Sequence, residues 1–89
     1  MSTQKIKILV VEDEAMIALD IKEKLIDMGY IVPMTTDNGA DAIRHAGELR
    51  PDIVLMDIVI KGDMDGIEAA EQIKEKFNIP SLFLTAYNS

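Results

Sequence analysis

With 89 residues and no cysteine, the chain has room for one small domain and neither a disulfide nor a thiolate metal site to hold it together. Nine basic residues against sixteen acidic ones leave a net charge of -7, which argues against contact with a nucleic acid backbone and favours basic surfaces or cations as partners. The apolar run at residues 8–11 is too short for a signal-peptide core or a membrane span, so the expectation is a cytoplasmic protein with no membrane partner.

The first predicted strand runs from Ile6 to Val11 and ends on the acidic run Glu12, Asp13, Glu14. A helix follows over Ala15 to Met28, with Met16, Leu19, Ile21, Leu25 and Ile26 broadly on one side and Gly29 as its stop. Tyr30 to Met34 reads as the second strand. The turn Asp37, Asn38, Gly39 leads into a second helix, Ala40 to Leu49, which Pro51 closes because the residue before a proline is pushed out of the helical region. Ile53 to Met56 is the third strand and stops at Asp57. A third helix over Gly66 to Phe77 places Ile67, Ala70, Ile73 and Phe77 inward, with Asp65 capping it and Gly66 easing the turn. Ser81 to Thr85 is the fourth strand.

Short apolar strands alternating with helices imply a parallel sheet with right-handed crossovers, the doubly wound α/β class, as one domain over residues 1–89. The predicted order is β1-α1-β2-α2-β3-α3-β4, with the strands arranged 2-1-3-4. Helix one then covers one face alone. Helices two and three share the other face, and strand four is an open edge.

In such a sheet the ligand site lies beyond the carboxyl ends of the strands. The residues there are Glu12 and Asp13 after strand one, Asp57 after strand three, and Thr85 with Ala86 after strand four. Two carboxylates about 5 Å apart repel by roughly 3 kcal/mol at an effective dielectric near 20, so a cation belongs among them. An all-oxygen set with no His or Cys suits magnesium, and a nearby hydroxyl suits a phosphoryl group held jointly with the metal. Read alone, the acidic run would more often be helix-capping or dipole-complementing acids. The run "GDMDG" fails as a calcium loop, because Lys61 and Gln72 fall where that loop needs its first and last ligands. His45 is expected at the surface of helix two, and the six methionines are expected to be mostly core filler.

Taken together, the acidic pair, Asp57 in "VLMDI", the "DG" at Asp65 and Gly66, and Thr85 with Ala86 resemble the receiver domain of response regulators in two-component signalling. The resemblance spans essentially the whole chain. It implies a flavodoxin-like fold and a phosphoacceptor role for Asp57, which takes a phosphoryl group from a histidine kinase or histidine phosphotransfer protein. It further implies Mg2+ held by Glu12, Asp13, Asp57 and the backbone carbonyl of Val59, and a phosphoryl contact from Thr85. Ile58 and Ala86 would frame access. The domain would not be an enzyme beyond hydrolysing its own acyl phosphate.

Two departures from the family pattern carry expectations of their own. The loop "IVIKGDMDG" lacks the proline common in the family, and Gly62 is expected to make the turn instead. The sequence also ends at "TAYNS", before the family's last helix-strand-helix, with the lysine that pairs with the phosphoryl group and the aromatic switch residue. The expectation is therefore a piece of a longer protein, or a chain that pairs its edge or swaps elements with a second copy. Two rival functions are a receiver-like interaction module that is never phosphorylated and a magnesium-dependent phosphatase with an aspartyl nucleophile. Against the second, such enzymes usually carry another Asp two residues on, where this chain has Val59.

Overall fold

A computed structural model describes residues 5–84. The elements, in chain order, are β1 (Ile8–Val11), α1 (Ala15–Asp27), β2 (Thr35–Thr36), α2 (Gly39–Leu49), β3 (Ile53–Asp57), α3 (Gly66–Phe77) and β4 (Ser81–Leu84). All strand pairs are parallel and the order is β2-β1-β3-β4, the predicted arrangement.

The pleat sorts the strand residues between two cores. Leu9, Val11, Val54 and Met56 pack with Ala42, Ala46, Ala69 and Ile73 under α2 and α3. Ile8 and Val10 face the other way, with Val32 and the half-buried Ile21, Leu25, Ile53 and Leu55, under α1. The second layer is the thinner one. Leu82 on β4 is 58% exposed and Phe83 is 42% exposed, so the predicted bare edge is present among the described residues.

Helix ends follow local chemistry. Asn38 caps α2, its Oδ1 accepting from the Asp41 N–H at 2.8 Å while its amide donates to the Asp41 carboxylate at 3.0 Å, which together with Arg44 lowers the Asp41 pKa. Arg50 closes α2 in the left-handed region immediately before Pro51, and its guanidinium lies over the Phe77 ring at 5.1 Å. Asn78 closes α3 in the same way. At the start of α3 a capping box forms: Asp65 accepts from the Glu68 N–H at 2.9 Å and Glu68 reaches back to the Asp65 N–H at 3.4 Å. Asp65→Ala removes that cap and is expected to lower stability by about 1 kcal/mol, read as a drop in the urea midpoint at unchanged slope.

Several expectations are corrected. The second strand is not Tyr30–Met34. Ile31 bridges Lys7, pairing then lapses, and it resumes at Thr35 opposite Val10. Four residues thus advance against three on β1, a bulge centred on Pro33, which has no N–H to give to the ladder. On α1 only Ala18 is buried, Ile21 and Leu25 are half-buried, and Met16, Leu19 and Ile26 are exposed. On α3 Ala70 and Ile73 are buried and Phe77 packs against the core as expected, joined by Gly66 and Ala69, but Ile67 is exposed beside Phe83. The methionines are mostly core filler as expected, with Met56 fully buried and Met34 and Met64 packed against the core, but Met16 and Met28 face solvent. His45 is half-buried, its Nδ1 3.3 Å from a Glu48 carboxylate oxygen on the same helix.

Candidate functional site

Strand register brings the first two site residues together. Val11 of β1 pairs with Met56 of β3, so the next positions along the two strands are Glu12 and Asp57. Both continue the pleat on the α1 side of the sheet, and neighbouring strands lie about 4.8 Å apart. Asp13 follows in the turn into α1. One carboxylate oxygen from each of Glu12, Asp13 and Asp57 lies within 4.8 Å of the others.

The acids before α1 are not serving as its cap. Glu14 occupies the N-cap position without a side-chain capping bond, and its own N–H donates to the Glu12 carboxylate at 3.0 Å. Glu12 is only 7% exposed. Burial pushes its pKa from 4.5 to about 7; the Glu14 N–H pulls it down, and the neighbouring Asp57 and Asp13 carboxylates push it up again. Such a group keeps its proton to a higher pH than an ordinary carboxyl, and a nearby cation would favour its release.

That donor set fits magnesium. Its bonds to oxygen are about 2.1 Å, so opposite ligands of an octahedron stand about 4.2 Å apart, and a cluster of this width closes on one ion with small side-chain movement. The cluster found among the described residues is all carboxylate, with no nitrogen or sulfur ligand in it. Lys61 is the only Lys or Arg among residues 12–14, 37–38 and 58–65. It is exposed and points to Asp37, with Nζ 3.7 Å from the carboxylate.

The loop after β3 is held on both sides. Asp57 accepts from the Val59 N–H at 3.3 Å, Ile60 is buried, and Lys61 bridges Asn38 across the β2–α2 turn. Gly62 has φ +100°, so glycine makes the turn, as expected. Beside this loop lies a polar hollow of about 410 Å³ lined by Glu12, Asp13, Thr36, Asp41, His45 and Lys61 among others.

Of the residues expected at the site, Glu12, Asp13 and Asp57 converge, and the Val59 backbone adjoins them through its amide. Ile58 is half-buried next to Asp57. Thr85 and Ala86 lie outside the described residues. Sequence reasoning took Gly66 only for an easy turn. A side chain there would stand 2.1 Å from the Asp57 carbonyl oxygen, so the glycine is needed by the site's own backbone. The signal was its place in the "DG" doublet.

Known proteins give the same picture. The family model described as "Response regulator receiver domain" matches residues 8–89. The chain is 42% identical over 84 residues to the transcriptional regulatory protein YdfI of Bacillus subtilis, covering 92% of this chain and 38% of that protein. It is 43% identical over 84 residues to the response regulator protein VraR of Staphylococcus saprophyticus, covering 92% of this chain and 40% of that one. It thus spans about two-fifths of the length of these curated relatives.

Among solved structures, the signal receiver domain of a modulated diguanylate cyclase from Desulfovibrio desulfuricans superposes with a TM-score of 0.87 at 38% identity, covering 93% of this chain and 66% of that one. The receiver domain of sensor histidine kinase PA1611 from Pseudomonas aeruginosa, solved with magnesium coordinated in its active site cleft, gives 0.82 at 32% identity, covering 93% and 69%. Among the described residues no helix is long and apolar enough to cross a membrane. With register, acidic cluster and relatives in agreement, the chain belongs to the response-regulator receiver family of two-component signalling.

Proposed function

We propose that residues 1–89 form one receiver unit in which Asp57 is the phosphoacceptor, loaded by a histidine kinase or histidine phosphotransfer protein. The observation that carries this reading is the convergence of Glu12, Asp13 and Asp57 at the strand exits, with Glu12 buried among them. A carboxylate oxygen of Asp57 attacks the phosphorus of a phosphohistidine. The P–N bond breaks, its electron pair returns to the imidazole, and the product is an acyl phosphate on Asp57. Magnesium bound by Glu12, Asp13, Asp57 and the Val59 carbonyl would supply positive charge against the phosphoryl oxygens. The Val59 N–H orients the Asp57 carboxylate from the other side, and Thr85 would donate to a phosphoryl oxygen. Hydrolysis of the acyl phosphate returns the carboxylate, so the domain carries a phosphoryl group rather than turning over a substrate.

The test is incubation with acetyl phosphate and magnesium followed by intact mass. One added phosphoryl group, mapped to the peptide holding Asp57 and absent without magnesium, is the expected result. No adduct under any condition would favour the interaction module that is never phosphorylated.

The exposed Leu82 and Phe83 on β4 favour a second property of the 89-residue chain expressed alone, association with another copy through that edge. Light scattering after size exclusion should give a mass above that of a monomer, and Leu82→Lys should shift it to the monomer. A compact, stable wild-type monomer would contradict this.

A further inference from the structure

The start of α3 lies against the last peptide of β3. Gly66 is buried, its N–H donates to the Ile58 carbonyl at 2.8 Å, and a Cβ on it would stand 2.1 Å from the Asp57 carbonyl oxygen, 2.9 Å from the Ile58 Cα and 3.0 Å from the Asp57 carbonyl carbon. All three atoms are backbone, so no side chain can swing away. The glycine is required by close approach of two main chains, since its φ is not in the left-handed region.

Both partners in that contact are anchored. β3 pairs with β1 on one side and with β4 through Asp57↔Leu84 on the other. α3 is fixed by its capping box and by Ala69, Ala70 and Ile73 in the core. The contact itself falls on the Asp57–Ile58 peptide, where the ladder to β1 has already ended at Met56. An atom forced in at position 66 therefore turns the Asp57–Ile58 peptide. Because that peptide belongs to Asp57, its side chain swings relative to Glu12 and Asp13.

We infer that Gly66 is a positioning residue for the dication site: the missing side chain lets α3 seat against the Asp57 backbone and so sets the spacing of the three carboxylates. The inference rests on the metal-site reading above. A ligand set held only loosely binds a small octahedral ion poorly, and losing a supporting contact behind metal ligands weakens affinity by about tenfold or more.

Chemical denaturation with and without magnesium chloride separates metal binding from general stability, because a ligand of the folded state raises the midpoint according to its affinity. Gly47→Ala is the matched control. It places a Cβ 2.7 Å from the Phe77 ring, between α2 and α3 and away from the carboxylates. Wild type and Gly47→Ala should show the same magnesium-induced rise, whatever their starting stability. Gly66→Ala should lose most of the rise. A full rise in Gly66→Ala overturns the inference and leaves the metal site standing, whereas no rise in wild type overturns both.

Should Gly66→Ala not fold, hydrogen exchange on the wild type decides. Saturating magnesium is expected to slow exchange of the Gly66 N–H, which bonds to the carbonyl beside Asp57. An unchanged Gly66 exchange rate, with metal binding seen elsewhere in the same sample, overturns the inference.

Discussion

Asp57→Asn is expected to abolish the phosphoryl adduct while making the metal-free chain more stable. Both effects have one cause. The carboxylate that would attack phosphorus is also one of three whose oxygens lie within 4.8 Å of each other. Each close pair of charges repels by roughly 3 kcal/mol at an effective dielectric near 20, and a neutral amide of nearly the same shape removes Asp57 from those pairs. The Val59 N–H still finds an oxygen acceptor in the asparagine, so the loop keeps its bond. Well above pH 7, where Glu12 is ionised, the gain should be on the order of 1–3 kcal/mol in urea unfolding without magnesium. Added magnesium should shrink the difference, since the wild type then recovers what it lost. A variant that loses the adduct and is also less stable than wild type would mean that Asp57 is a structural residue.

The second large effect is a dependence on pH that magnesium reverses. Glu12 has a pKa of about 7 in the folded chain against an ordinary value of 4.5, mainly because it is buried. Below 4.5 both the folded and unfolded chains hold this proton, so Glu12 carries no penalty. Between 4.5 and about 7 the unfolded chain has released the proton and the folded chain has not, so folding binds a proton and stability falls as pH rises. Above about 7 the loss is complete and the curve flattens on this account. A bound dication favours the ionised form, so magnesium should flatten the fall, and binding below pH 7 should release a proton. Calorimetric titration in two buffers of different ionisation enthalpy measures that release directly. Glu12→Gln should remove both the pH-dependent fall and the proton release while leaving the fold intact. A stability profile with no descent between 4.5 and 7 would contradict the assignment of the raised pKa to Glu12.

The sheet and its site were legible in the sequence because both rest on short-range signals. β1 and β3 are unbroken apolar runs, each met by an acid at its exit, and parallel pairing of two such runs places Glu12 beside Asp57. The capping chemistry of Asp65 and the turn at Gly62 were also local, and both hold. What failed depends on partners that a single segment does not reveal. The second strand was placed on its apolar residues, Tyr30 to Met34, yet hydrogen bonding to β1 is set by where Pro33 interrupts the donors, and the regular strand falls on two threonines. The apolar residues of α1 predicted a broad buried face, but only Ala18, Ile21 and Leu25 are withdrawn from solvent, and Met16, Leu19 and Ile26 stand exposed. Gly66 was the subtlest miss, because only the distance between two backbones separates a glycine that eases a turn from one that a neighbouring peptide requires.

A magnesium titration followed by backbone NMR reads the dication site residue by residue. The amides of Glu12, Asp13, Asp57 and Val59 are expected to shift together and saturate along one binding curve, while residues at the opposite end of the strands stay still. Shifts that never saturate, or that spread evenly over the many surface acids and spare these four, would contradict a dication site between the exits of β1 and β3.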